Sequence, residues 1–126
     1  MKKCLILFLT LFSLNTFSQS KINFEEYFVK NHAAQLIQSF NNTIDIDIPD
    51  SKANFSKNQA SVVVQTFFKN NSPTSYKTNH RGGGNGRANY EIGNLTAGKL
   101  NYRTYLLYEL KGEIVQIIEL RIELED

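Results

Sequence analysis

The sequence predicts an α+β fold in which N-terminal helices pack on a curved antiparallel sheet, closing into a cone-shaped roll. Three observations predict it. Two stretches among the first seventy residues carry apolar side chains at helical spacing. From Ser75 onward, apolar and polar residues alternate, interrupted only by short glycine-bearing turns. A sheet with one apolar face needs a covering layer, and the helices at the front of the chain supply it. At 126 residues the chain has room for one domain and not two.

The first eighteen residues read as an address. Met1-Lys2-Lys3 is basic, Leu5 to Phe12 is almost purely apolar, and Ser13, Asn15, Thr16 and Ser18 are small and polar. That is the layout of a secretory signal peptide, too short for the roughly 20 residues that span a bilayer. Thr16 and Ser18 place cleavage after Ser18, leaving a single domain over 19–126 that is periplasmic or secreted, with no stable membrane insertion. Cys4 precedes the apolar run, where a lipid-modified cysteine would follow it, and it leaves with the leader.

The mature chain begins with a helix over Ile22 to Phe40. Asn23 is its N-cap, Glu26 stands at the capping-box position, and Val29, Ala33, Leu36, Ile37 and Phe40 form one stripe. Lys30-Asn31 is a point where it divides into two, with Asn31 capping the second. Thr43 to Ile48 alternates isoleucine with polar residues, a half-buried strand with Asp45 and Asp47 outward, closed by Pro49-Asp50. Ala53 to Ser56 reads as a short strand or a loop. Ser56 and Gln59 then open a helix whose Ala60, Val63, Val64, Phe67 and Phe68 repeat at i, i+3, i+4, i+7 and i+8, stopped by Asn70-Asn71-Ser72-Pro73.

Four strands complete the chain: Ser75 to Arg81, Arg87 to Leu95, Leu100 to Leu110 and Ile114 to Leu124. The short turns between them predict an antiparallel meander. Leu100, Tyr102, Thr104, Leu106 and Tyr108 share one face of the third strand. In the last, alternation puts Ile114, Gln116, Ile118, Leu120, Ile122 and Leu124 together, with Glu119, Arg121 and Glu123 opposite. A long bent sheet of this kind leaves a hollow able to hold a ligand.

Charge and composition exclude several chemistries. With Lys2 and Lys3 gone, 12 basic residues face 12 acidic ones, so the surplus of positive charge that a nucleic-acid binder needs is missing. A mature chain without cysteine has no thiol catalysis, no disulfides and no cysteine-held metal; two histidines do not make a catalytic zinc site. No metal or other cofactor is expected, and no Gly-x-Ser-x-Gly elbow is present.

The remaining candidates are few. His32 reads as a surface or boundary residue. His80 ends a strand beside Arg81 and the loop Gly82 to Gly86, where an imidazole can read an anionic ligand or simply bond the loop backbone. That loop lacks the following helix of a phosphate cradle and reads as a hairpin connection. Asp45, Asp47 and Asp50 suit a hard cation, or else a solvated face that discourages edge pairing. Tyr102 lies on the expected concave face, where Tyr76 and Tyr90 are expected to join it, so Tyr76, His80, Tyr90 and Tyr102 are the candidate ligand-binding residues.

The order of elements resembles the nuclear-transport-factor-two-like (cystatin-like) superfamily, and within it a group of small exported bacterial proteins of unknown function. The segments that carry the resemblance are Phe40 to Ile46, Phe55 to Ala60, Phe67 to Asn70, Tyr76 to Gly82, Tyr90 to Gly93 and Leu120 to Glu123. The superfamily hosts isomerases, dehydratases, transport factors and binding domains, so the fold alone decides little. An isomerase of that type needs an acid inside the cone beside a tyrosine. The later strands offer Tyr, Thr, Leu, Ile and Gln inward, and Glu91, Glu109 and Glu119 read as outward. The expectation is therefore a non-catalytic domain that binds a small molecule in the cone or a protein partner across the sheet, a second copy included. The alternative is a small isomerase, lyase or hydrolase built on His80 with tyrosines.

Overall fold

The computed structural model describes residues 22–126; the expected leader and its cleavage point lie outside the described residues. Three short helical pieces open the chain: α1 (Phe24–Val29), a 3-10 turn (Lys30–Ala33) and α2 (Ala34–Gln38). The expected single helix is divided where Lys30-Asn31 suggested, but not by a cap. Asn31, His32 and Ala33 all take left-handed backbone angles (φ 50°, 51° and 64°), and α2 starts from Ala33 with no side-chain cap. At the front, Asn23 accepts from the Glu25 amide at 3.1 Å, and Glu26 contributes no reciprocal side-chain bond.

Phe40 belongs to β1 (Phe40–Ile48), not to the helix before it. A hairpin joins β1 to β2 (Ser51–Ser56), resolving the strand-or-loop alternative as a strand. Helix α3 (Lys57–Asn70) starts as its sequence dictates: the Ser56 hydroxyl accepts from the Gln59 backbone N–H at 3.2 Å, and the Gln59 side-chain Oε1 accepts from the Ser56 backbone N–H at 3.3 Å. The meander follows as β3 (Pro73–Gly83), β4 (Asn89–Ala97), β5 (Leu100–Lys111) and β6 (Ile114–Leu124).

All six strands form one sheet in the order β2-β1-β6-β5-β4-β3. Every pairing is antiparallel except β1 with β6, which run parallel, so the sheet is mixed and not purely antiparallel. The helices cover its concave face. Phe24 and Phe28 of α1, Leu36 of α2, and Ala60, Val64 and Phe68 of α3 are fully buried against Ile44, Ile46, Leu95, Leu106, Ile117, Leu120 and Ile122. Each large apolar side chain so placed stabilises the fold by about 1.5–3 kcal/mol.

Two bulges decide which side chains enter this core. In β6 the pairing steps from Leu107↔Glu119 to Tyr108↔Ile117, so Ile118 is an extra residue. Strict alternation is thereby broken: Val115 and Ile117 point inward before the bulge, Leu120 and Ile122 after it, and Ile114, Gln116 and Ile118 leave the face that alternation gave them. In β3 the pairing steps from Thr78↔Gly93 to His80↔Ile92, which makes Asn79 the extra residue. Alternation from Tyr76 would carry His80 inward; the bulge turns His80 out and brings Arg81 in.

Candidate functional site

The interior of the cone holds a carboxylate. Glu91 on β4 is completely buried, and its phase along the strand is that of Leu95 and Ala97, both buried. The expectation that no acid points inward is corrected here. Glu91 Oε2 accepts from Tyr76 Oη at 2.6 Å and from Thr78 Oγ1 at 2.8 Å, while Oε1 accepts from Arg81 Nε at 2.7 Å. Arg81 also donates through Nη2 to the Ile22 carbonyl at 2.8 Å, and its guanidinium lies 5.7 Å from the centre of the Phe24 ring. One cluster therefore ties β3 and β4 to the entry of α1.

Little of the cluster is free to act on a substrate. Both carboxylate oxygens are occupied, Phe28 stacks on Tyr76 at 4.5 Å and 19°, and Phe24 meets Tyr108 edge-on at 5.2 Å. Burial, and then the adjacent Glu91 carboxylate, push the Tyr76 phenol well above the usual tyrosine range. Burial also raises Tyr108, partly opposed by Arg81. The Thr104 hydroxyl is buried in the same face and has no hydrogen-bond partner among the described residues. Phe67 fills the space beside Tyr102, their rings edge-on at 5.6 Å.

The four candidate residues thus divide between two faces. Tyr76 and Tyr102 are buried on the concave side. His80 and Tyr90 are on the far side, Tyr90 because it alternates with Glu91 and His80 because of the bulge. They belong to a row that sequence reasoning did not assemble. His80 Nε2 lies 3.1 Å from Tyr90 Oη; the Tyr90 and Tyr105 rings stack at 6.1 Å; and the Arg121 guanidinium sits 5.0 Å above Tyr105. The row crosses β3, β4, β5 and β6 without interruption. Arg121 Nε donates to Glu119 Oε2 at 2.7 Å, and that bond and charge raise the guanidinium's basicity further.

Glycine makes room for a tyrosine on each face. A side chain at Gly82 would strike the Tyr90 ring, and one at Gly93 would strike Tyr76. Period-two reading of Glu91, Gly93, Leu95 and Ala97 held the signal for the inward acid. The outer row had a weaker one, the shared phase of Arg103 and Tyr105 on β5.

Asp45 and Asp47 face outward as expected; Asn54 Nδ2 donates to Asp45 at 2.7 Å, and Lys52 stands 3.9 Å from Asp47. Among the described residues no cluster of three His, Asp or Glu has metal-holding geometry, and no helix is long and apolar enough to cross a membrane.

A family model described as a domain of unknown function (DUF4783) matches residues 16–123. No curated protein matches the chain. Among solved structures, a DUF4783 family protein from Bacteroides fragilis superposes with a TM-score of 0.72 at 19% identity, over 85% of this chain and 100% of that one. One from Bacteroides uniformis gives 0.70 at 22% identity, over 79% and 92%. An NTF2-like protein of unknown function from Cytophaga hutchinsonii gives 0.54 at 10% identity, over 79% and 81%. These likenesses show a nuclear-transport-factor-two-like α+β fold.

Proposed function

Since the chain belongs to the DUF4783 family, a family of unknown function, we propose from its own geometry that it is an exported, non-catalytic binding domain whose recognition surface is the outer face of the sheet. The observation that carries this reading is the row His80–Tyr90–Tyr105–Arg121, aromatic bodies with polar and charged ends set on a sheet face that no helix of the described residues covers. Tyrosine and arginine are the side chains that anchor protein interfaces. Export rests on the basic, apolar and small-polar layout of residues 1–18.

The partner best matched to this face is a second copy. Asp45 and Asp47 lie towards one edge of the face, on β1, with Lys52 of β2 beside Asp47, while Lys77 lies at the other edge, on β3, and Arg103 between them on β5, opposite Glu123. A two-fold axis parallel to the strands sets each acidic edge against the basic and aromatic edge of the other copy, as a self-complementary interface requires. Binding inside the cone has less support, because Phe24, Phe28 and Phe67 pack against the tyrosines there. Acid–base catalysis by His80 with Tyr76 and Tyr102 has less still, because they stand on opposite faces.

Sedimentation equilibrium of the mature protein tests the proposal. Dimerisation that weakens at least tenfold in Tyr105→Ala and Tyr90→Ala, with folding retained, is expected for hot-spot positions losing about 2 kcal/mol. A monomer at every concentration, or a dimer indifferent to both substitutions, overturns it.

A further inference from the structure

A groove of about 650 Å³ runs between the 3-10 turn and α2 on one side and α3 on the other. It lies on the helical side of the molecule, away from the sheet face discussed above, and falls within the roughly 300–1,000 Å³ usual for ligand sites. Its titratable side chains are all bases: His32, Lys57 and Lys69, with no aspartate or glutamate in the lining. The walls are otherwise dominated by amides, Asn31 and Gln38 facing Asn58 and Gln65. Ala34 and Ile37 are its apolar residues, and with the aliphatic stems of the lysine and amide side chains they make more of the exposed lining apolar than polar, as suits the C–H faces of sugar rings.

From this lining we propose that the groove binds a short acidic glycan. Amide side chains offer paired donors and acceptors, which suit vicinal hydroxyls, and lysine ammonium groups suit a carboxylate or sulfate. Lys57 and Lys69 are twelve residues apart on α3, about 18 Å along the helix axis, so the charge is spread along the groove and an extended ligand fits better than a single anion. Lys57 Nζ already donates to the Gln38 carbonyl at 2.9 Å, which clamps α2 to α3 and leaves its other N–H groups for a ligand. An acidic peptide is matched less well, because it presents no vicinal hydroxyl pairs to the Asn31, Gln38, Asn58 and Gln65 amides. The left-handed turn at Asn31, His32 and Ala33 forms one rim, where it turns Asn31 and His32 toward the groove.

Amide NMR titration of the mature protein tests the proposal with four probes: tetragalacturonate, a heparin tetrasaccharide, maltotetraose and tetraglutamate. Saturable shifts at Gln38, Ser61 and Gln65 with tetragalacturonate or the heparin fragment are expected; tighter binding of the heparin fragment, which carries sulfates besides its carboxylates, shows that sulfate adds to the recognition, and equal or weaker binding that carboxylate suffices. Lys69→Gln weakens that binding about tenfold through loss of a charge-assisted bond, and Lys99→Gln, in the β4–β5 turn, leaves it unchanged. No saturable shift with either acidic glycan overturns the proposal, as does equal binding of maltotetraose or tetraglutamate. The sheet-face variants Tyr90→Ala and Tyr105→Ala leave the titration unaltered, so each reading can fail alone.

Discussion

Arg81 and Glu91 are direct cross-strand partners on β3 and β4, and they meet inside the cone: Arg81 Nε donates to Glu91 Oε1 at 2.7 Å. The Glu91 side chain is fully buried, while about a third of the Arg81 side chain is open to solvent. Arg81→Ala therefore strands a carboxylate in the core. The expected loss is about 3 kcal/mol, the low end for breaking a buried pair because Arg81 is partly solvated. Arg81→Met with Glu91→Gln recovers part of it, since no charge is left behind and the amide carbonyl still accepts from the Tyr76 and Thr78 hydroxyls. Urea denaturation of the three proteins checks the order; equal stability of Arg81→Ala and wild type excludes the buried pair.

Tyr76 bonds the same carboxylate from the other side. Its folded-state pKa is raised, by burial first and Glu91 second, above the value near 10 of an unfolded tyrosine. The contribution to stability is whole below that unfolded value and is lost as pH rises above it, because the unfolded chain releases the phenol proton first. Tyr76→Phe should cost about 1.5–3 kcal/mol at neutral pH, for a hydrogen bond to a charged group. It should also flatten the decline of stability above pH ~10. Unfolding measured across pH 7–11 tests both, and an unchanged alkaline slope contradicts the buried phenol.

Much of this architecture is legible in the residues. The isoleucines of β1 and the spacing of α3 fix their inward faces without reference to anything distant, and Ser56 with Gln59 fixes where α3 begins. The inward acid is harder to see because three of the four positions in its phase are glutamate, glycine and alanine, which carry almost no hydrophobic signal. The β6 register is ambiguous in principle: Ile114, Val115, Ile117 and Ile118 put apolar residues in both phases, so either fits until the bulge is known. Asn79 gives no local sign of being an extra residue, yet it exchanges His80 for Arg81 in the cone. The parallel pairing of β1 with β6 joins segments about seventy-five residues apart, beyond the reach of any local pattern.

Gly93 is where the Tyr76 ring crosses the sheet, and its backbone is in an ordinary extended conformation, so its need for glycine is steric alone. Gly86 has a positive φ of 83° and open space around it. Gly93→Ala forces the ring aside and should cost about 1–3 kcal/mol by overpacking. Gly86→Ala carries only the left-handed penalty of about 1 kcal/mol. Thermal unfolding of the pair should place Gly93→Ala lower; the reverse order means that Tyr76 does not lie over Gly93.

His32 offers a test of the left-handed turn that shapes the helical groove. Its φ of 51° and ψ of 50° put an exposed, non-glycine residue in a region that costs L side chains about 1–2 kcal/mol. Glycine removes that penalty but loses about 0.5–1 kcal/mol of chain entropy on folding. His32→Gly should therefore stabilise the protein by about 0.5 kcal/mol, the difference between those two effects. Gln35→Gly, exposed in α2 with right-handed helical geometry, should instead destabilise it by about 1 kcal/mol. Opposite signs in chemical denaturation follow only if the chain at His32 is left-handed in solution, and equal losses at both positions rule that geometry out.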